Sequence, residues 1–137
     1  MKKILLLLFT LLLFCCVVCN CQNIETAEHF TYGFIKSDGT IENVNHSVKG
    51  YIKSDGTIEN SNHSTFGFIK QNGEVQNSSH MTIGYIKSDG AVESANRRTI
   101  GYIKSNGEVE DASHKTIGYG KGINPQWIAV VFFFLHS

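Results

Sequence analysis

Apolar and polar positions alternate in short runs along most of this chain, and the runs come in pairs. From Gly50 the sequence reads Gly-Tyr-Ile-Lys, then Ser-Asp-Gly, then Thr-Ile-Glu-Asn. Alternation with a period of two marks a half-buried strand. An Asp-Gly pair between two such runs is a strong hairpin signal, because glycine takes up positive φ without steric cost. The predicted hairpin is copied along the chain. Glycine recurs at Gly33, Gly50, Gly67, Gly84, Gly101 and Gly118, spaced 17 residues apart without a slip. A second series, Gly39, Gly56, Gly73, Gly90 and Gly107, follows Asp38, Asp55, Asn72, Asp89 and Asn106. Such a period implies supersecondary units that each need neighbours to bury an apolar face.

The strand register follows from the same pattern. If Ser54-Asp55-Gly56 is a three-residue loop ending in a glycine bulge, Ile52 lies opposite Ile58 and Tyr51 opposite Glu59. A two-residue loop would pair Ile52 with Glu59 and set a carboxylate beside the core, so the longer loop is expected. It puts Gly50, Ile52 and Ile58 on a core face, with Tyr51, Lys53 and Glu59 on the other. Residues Asn23 to Tyr32 fit the second half of a unit. Counted from there the units are 23–39, 40–56, 57–73, 74–90, 91–107 and 108–124. One hairpin alone is marginal in water. The expected fold is therefore all-β: a pseudo-symmetric array of five to six 17-residue hairpins around one core.

The two ends break the pattern. Met1-Lys2-Lys3 precedes an apolar run from Ile4 to Cys19, the layout of a secretory signal, here taken as residues 1–21. The run is short for a membrane span, which needs about 20 residues. Cys19-Asn20-Cys21 offers the small residues that signal peptidase requires, which would start the mature chain at Gln22. Lipidation of Cys21 is the alternative, although its surroundings match a lipobox poorly. All four cysteines (Cys15, Cys16, Cys19, Cys21) lie in this leader, so the repeat domain, 22–124, is expected to hold together without disulfides. The expected destination is export, whether periplasmic, cell-surface or extracellular, with a lipid anchor as the alternative. At the other end Pro125 stops the repeat, and Trp127 to Leu135 is entirely apolar. That stretch is too short to cross a bilayer and would be an aggregation hazard if exposed. Residues 125–137 are therefore expected to be a plug or closing strand.

Taken together, the GYIKSDGTIE-type unit, the closing GYGKGINPQW (Gly118 to Trp127) and the apolar AVVFFF (Ala129 to Phe134) resemble the five-fold β-flower proteins of bacterial secretomes. The resemblance spans about Asn23 to Phe134. It implies short hairpins set as petals around a pseudo-symmetry axis, in a shallow barrel likened to the Tubby C-terminal domain. It brings no catalytic residues and no cofactor. The count of six hairpin-phase units, or five whole glycine-phase repeats and two halves, leaves the order of the symmetry open.

Charge and chemistry add little to this picture. Without Lys2 and Lys3 the 12 basic residues fall to 10, against 12 acidic ones, so no general attraction to nucleic acid is expected. Three positions form rings. The aromatics Phe34, Tyr51, Phe68, Tyr85, Tyr102 and Tyr119 share a face with Lys36, Lys53, Lys70, Lys87, Lys104 and Lys121. Together they are the candidate ligand-binding residues, for stacking on glycans or drawing anionic head groups. Structural pairing competes with that reading, because Glu42, Glu59, Glu93 and Glu110 sit diagonally across from lysines, with Gln76 the exception. The third ring is His29, His46, His63, His80 and His114, with Arg97 in the sixth place. Arginine is no metal ligand, so solvated turn residues rather than a metal site are expected. No group outside the repeat suggests a nucleophile or acid–base pair, so no enzyme is expected. Two roles remain: an exported structural or interaction module, meeting a membrane surface or envelope protein, and a multivalent glycan- or lipid-head-group-binding protein.

Overall fold

The computed structural model describes residues 21–135. The leader reading of residues 1–20 and the last two residues, 136–137, lie outside them. Twelve antiparallel strands follow one another in a meander and close into a barrel. They are β1 (Cys21–Thr26), β2 (Thr31–Lys36), β3 (Thr40–Asn43), β4 (Val48–Ile52), β5 (Thr57–Asn60), β6 (Thr65–Ile69), β7 (Glu74–Asn77), β8 (Thr82–Ile86), β9 (Ala91–Ser94), β10 (Thr99–Ile103), β11 (Glu108–Asp111) and β12 (Thr116–Tyr119). The seam is formed by β1 against β12, with Glu25 opposite Tyr119 and Thr26 opposite Gly118. The two half-repeats at the ends of the array thus join as a sixth unit, beside five unbroken hairpins with Asp-Gly or Asn-Gly turns.

The three-residue loop is borne out. Ile52 pairs with Ile58 and Tyr51 with Glu59, while the Gly56 N–H donates to Lys53 O at 3.0 Å and the Lys53 N–H to Thr57 O at 2.8 Å. The Asp55 Oδ1 accepts from the Thr57 N–H at 2.9 Å, bracing the loop. Gly56 has φ of 88°, and its carbonyl accepts from the Ile69 N–H of the next unit at 2.8 Å. At the other rim a second turn has the same form. The His46 N–H donates to Asn43 O at 2.9 Å and the Asn43 N–H to Ser47 O at 3.0 Å. The left-handed position that glycine holds in the first turn is held by His or Arg in the second, with φ from 59° at His46 to 63° at Arg97 and His114.

The strands are pinned further by a bulge in every unit. Ile58 pairs with Gly67 and Glu59 with Thr65, so Phe66 is the extra residue. Its equivalents are Tyr32, Lys49, Ile83, Ile100 and Ile117. Each bulge bends its strand and sharpens the twist that closure requires.

A closed barrel of this many strands is too wide for its own side chains to fill. The C-terminal segment fills it. Asn124 caps helix α1 (Pro125–Ala129), accepting from the Gln126 N–H at 2.9 Å with Pro125 in the first turn. The helix widens into a π-type turn over Val130–Phe134. Ile128, Ala129, Val130, Val131 and Phe134 are buried among the inward residues of the strands, which include Ile24, Ile35, Ile52, Ile58, Val75, Val92 and Val109. Of the two expectations for the tail, the plug holds; the segment is helical and adds no strand. It also explains why isoleucine gives way to Gly120, since a Cβ there would lie 2.8 Å from Ile128 Cδ1.

Candidate functional site

The repeated polar positions converge on the outer face, where each unit builds one cluster. Strand alternation points the aromatic of each even-numbered strand outward, opposite a glutamate on its neighbour: Phe34 opposite Glu42, Tyr51 opposite Glu59, Tyr85 opposite Glu93 and Tyr102 opposite Glu110. Phe68 meets Gln76 instead, and Tyr119 meets Glu25 across the seam. Lysine reaches the glutamate from one side: Lys36 to Glu42, Lys53 to Glu59, Lys87 to Glu93 at 3.5 Å and Lys104 to Glu110 at 3.1 Å. These diagonal pairs were legible in the sequence. Lys70 and Lys121 make none of them.

The role of histidine was missed. Its ring lies flat on the aromatic, with centroids 4.3 Å apart for His29 on Tyr119, 4.4 Å for His63 on Tyr51 and His114 on Tyr102, and 4.6 Å for His46 on Phe34 and His80 on Phe68. Its Nδ1 meets the carboxylate four residues earlier, at 3.0 Å for His46 and Glu42 and at 2.9 Å for His114 and Glu110. Arg97 performs both tasks in its unit, lying 3.4 Å over the Tyr85 ring and 3.6 Å from Glu93. Where Gln76 replaces glutamate, His80 still stacks on Phe68, so the stacking does not depend on the carboxylate. The histidines are indeed turn residues, 64% to 66% exposed in the four that bind glutamate, but they are built in rather than merely solvated. The clue lay in the sequence: histidine stands four residues after glutamate, at the turn position where the other series has glycine.

Four of the six clusters pair a glutamate with both a lysine and a histidine or arginine. Glu42, Glu59 and Glu110 are buried although they face outward. All three are held below the ordinary carboxylate value of 4.5. For Glu42 and Glu59 the lysine hydrogen bond is the chief cause, and for Glu110 it is His114, followed by Lys104. A carboxylate whose pKa is lower in the folded state stabilises the fold above its unfolded value, and this is lost as pH falls through the folded value. Thermal stability should therefore decline as pH drops below 4.5. Changing Glu42, Glu59 and Glu110 together to glutamine should make melting temperature less steep between about pH 5 and about pH 3. An unchanged slope would count against the pairing.

The aromatic and lysine positions therefore lie together as expected, but as six separate clusters rather than one groove. One face of every aromatic is already covered. Among the described residues no group of three or more histidine, cysteine or acidic side chains is arranged to hold a metal. Cys21, the alternative lipidation site, opens β1 opposite Lys36.

Comparison with curated proteins and with solved structures yields no match. A family model described as "5-fold beta-flower protein" matches residues 21–136, from the first strand through the plug. The ring closes with five unbroken hairpins and a sixth unit split between β1 and β12, its centre filled by the tail, and the chain belongs to the 5-fold beta-flower protein family.

Proposed function

We propose that the protein is an exported, non-catalytic structural or interaction module acting at the cell envelope or outside the cell. The observation that supports this reading is the self-satisfaction of its repeated polar face. Lysine, glutamate, aromatic and a histidine or arginine engage one another in four of the six units, and the stacked ring pair recurs in the other two. Such a surface is rigid and multivalent, and it offers no single asymmetric site. Strands of four to six residues fall well below the roughly 9–11 that a membrane-spanning strand needs. A surface role suits them better than a pore. Export rests on the leader pattern of residues 1–21.

The second reading, multivalent glycan or lipid-head-group binding by the aromatic and lysine ring, requires open ring faces. Histidine or arginine occupies one face of each, which weighs against it. A glycan and lipid array probed with the purified protein separates the two. Our reading expects a blank array, or binding indifferent to Tyr51→Ala and Lys53→Ala. Binding abolished by either change in a protein that still melts cooperatively would replace it with the second. Mass spectrometry of the cell-derived protein should find a chain beginning at Gln22. An acylated Cys21 would give the anchored alternative, and an intact Met1 terminus would refute cleavage in favour of a retained anchor.

A further inference from the structure

Six inward glycines ring the barrel, and the tail sets a phenylalanine ring against three of them. A Cβ placed on Gly84 would lie 2.5 Å from the Phe134 ring, one on Gly118 would lie 2.6 Å from the Phe132 ring, and one on Gly101 would strike the Phe133 ring. The same test on Gly33, Gly50 and Gly67 meets only backbone among its nearest atoms. On that side lies a cleft of about 450 Å³, lined by Ile24, Tyr32, Gly33, Ile41, Lys49 and Val131 among others. Small-molecule sites commonly have volumes of about 300–1,000 Å³.

Two departures from the repeat coincide there. The bulge position holds Phe66, Ile83, Ile100 and Ile117 in four units, all packed against the core. In the two units beside the cleft it holds Tyr32 and Lys49, both exposed. Lys49 also differs from Lys36, Lys53, Lys87 and Lys104 in making no ion pair with a carboxylate among the described residues. Glu42, at the cleft wall, is already held by Lys36 and His46 and would not compete for it. The neighbouring turns expose Phe30 and Val44.

We propose that this cleft binds a small aromatic carboxylate. Its ring sits at Gly33 as the tail phenylalanines sit at Gly84, Gly101 and Gly118, and its carboxylate meets the Lys49 ammonium. Ile24, Ile41 and Val131 supply the apolar wall, and the cation at the mouth selects the acid. The site touches the outer clusters only at Glu42, and neither its cation nor its apolar wall belongs to them, so its test is separate from that of the reading above.

Calorimetric titration of the purified protein with 3-phenylpropionate tests it. One saturable site is expected, with 3-phenylpropanol binding roughly ten-fold more weakly because it lacks the charge-assisted contact. Lys49→Gln should bring the acid down to the level of the alcohol. Lys49→Ile installs the residue that the chain itself carries at Ile83, Ile100 and Ile117. It should leave melting unchanged, close the cleft and abolish binding of both compounds. No saturable binding of the acid, or an acid preference that survives Lys49→Gln, overturns the proposal.

Discussion

A chain ending at Gly122 is expected not to fold. The removed segment carries Ile123, Ile128, Ala129, Val130, Val131 and Phe134, all buried at 5% exposure or less. Deleting one large buried apolar side chain costs about 2–5 kcal/mol, and a domain of this size is stable by only about 5–15 kcal/mol. Loss of three such groups would therefore exhaust the stability. The remaining ring of isoleucines and valines would surround a lumen that its side chains cannot fill. The truncated chain should bind a hydrophobic dye and lack a cooperative melt. Val130→Asp in the full chain should do the same, since it places an unpaired charge at a position with no exposure. A truncated protein that melted cooperatively within a few degrees of the full chain would show that the barrel needs no plug.

The second large effect is expected for Gly56→Val. Gly56 sits at φ of 88°, and a Cβ there would strike the carbonyl oxygen of Ile69 in the next unit. A β-branched residue in the left-handed region costs at least about 1–2 kcal/mol. Relieving the clash breaks the 2.8 Å bond from the Ile69 N–H to Gly56 O, worth about 1 kcal/mol more. Destabilisation of about 3 kcal/mol or more in chemical denaturation is the expected result. Because that bond joins adjacent units, the damage should spread beyond one turn. Unchanged stability would remove the case for the glycine loop.

Much of this architecture was legible because the repeat makes each local rule visible several times over. The Asp55-Gly56 turn, the Ile52–Ile58 pairing and the Lys53–Glu59 diagonal follow from period-two alternation and loop length alone. A closed array was expected from the apolar tail, but the seam of β1 on β12 was not, because it joins Glu25 to Tyr119 across nearly the whole chain. The tail was legible as a segment that must be buried but not as a helix, because Trp127 to Leu135 is apolar on every side and has no period to read. For the outer clusters, the aromatic, lysine and glutamate positions were evident. The stacking of His63 on Tyr51 was not, because it depends on His63 adopting φ of 61° at a turn that the sequence marks only by asparagine and serine. The bulge at Lys49 was likewise hidden, since a bulge shifts register without leaving a residue type behind.

The repeated outer residues form structural clusters, one to each unit of the barrel. A double-mutant cycle on Tyr51→Ala and His63→Ala, read by chemical denaturation, tests this most directly. The backbone cost of alanine at the left-handed position of His63 enters both arms and cancels. A favourable coupling of about 0.5–1.5 kcal/mol is expected, as for other stacked ring pairs. A coupling within about 0.3 kcal/mol of zero would contradict it and would leave the aromatic ring free for another role.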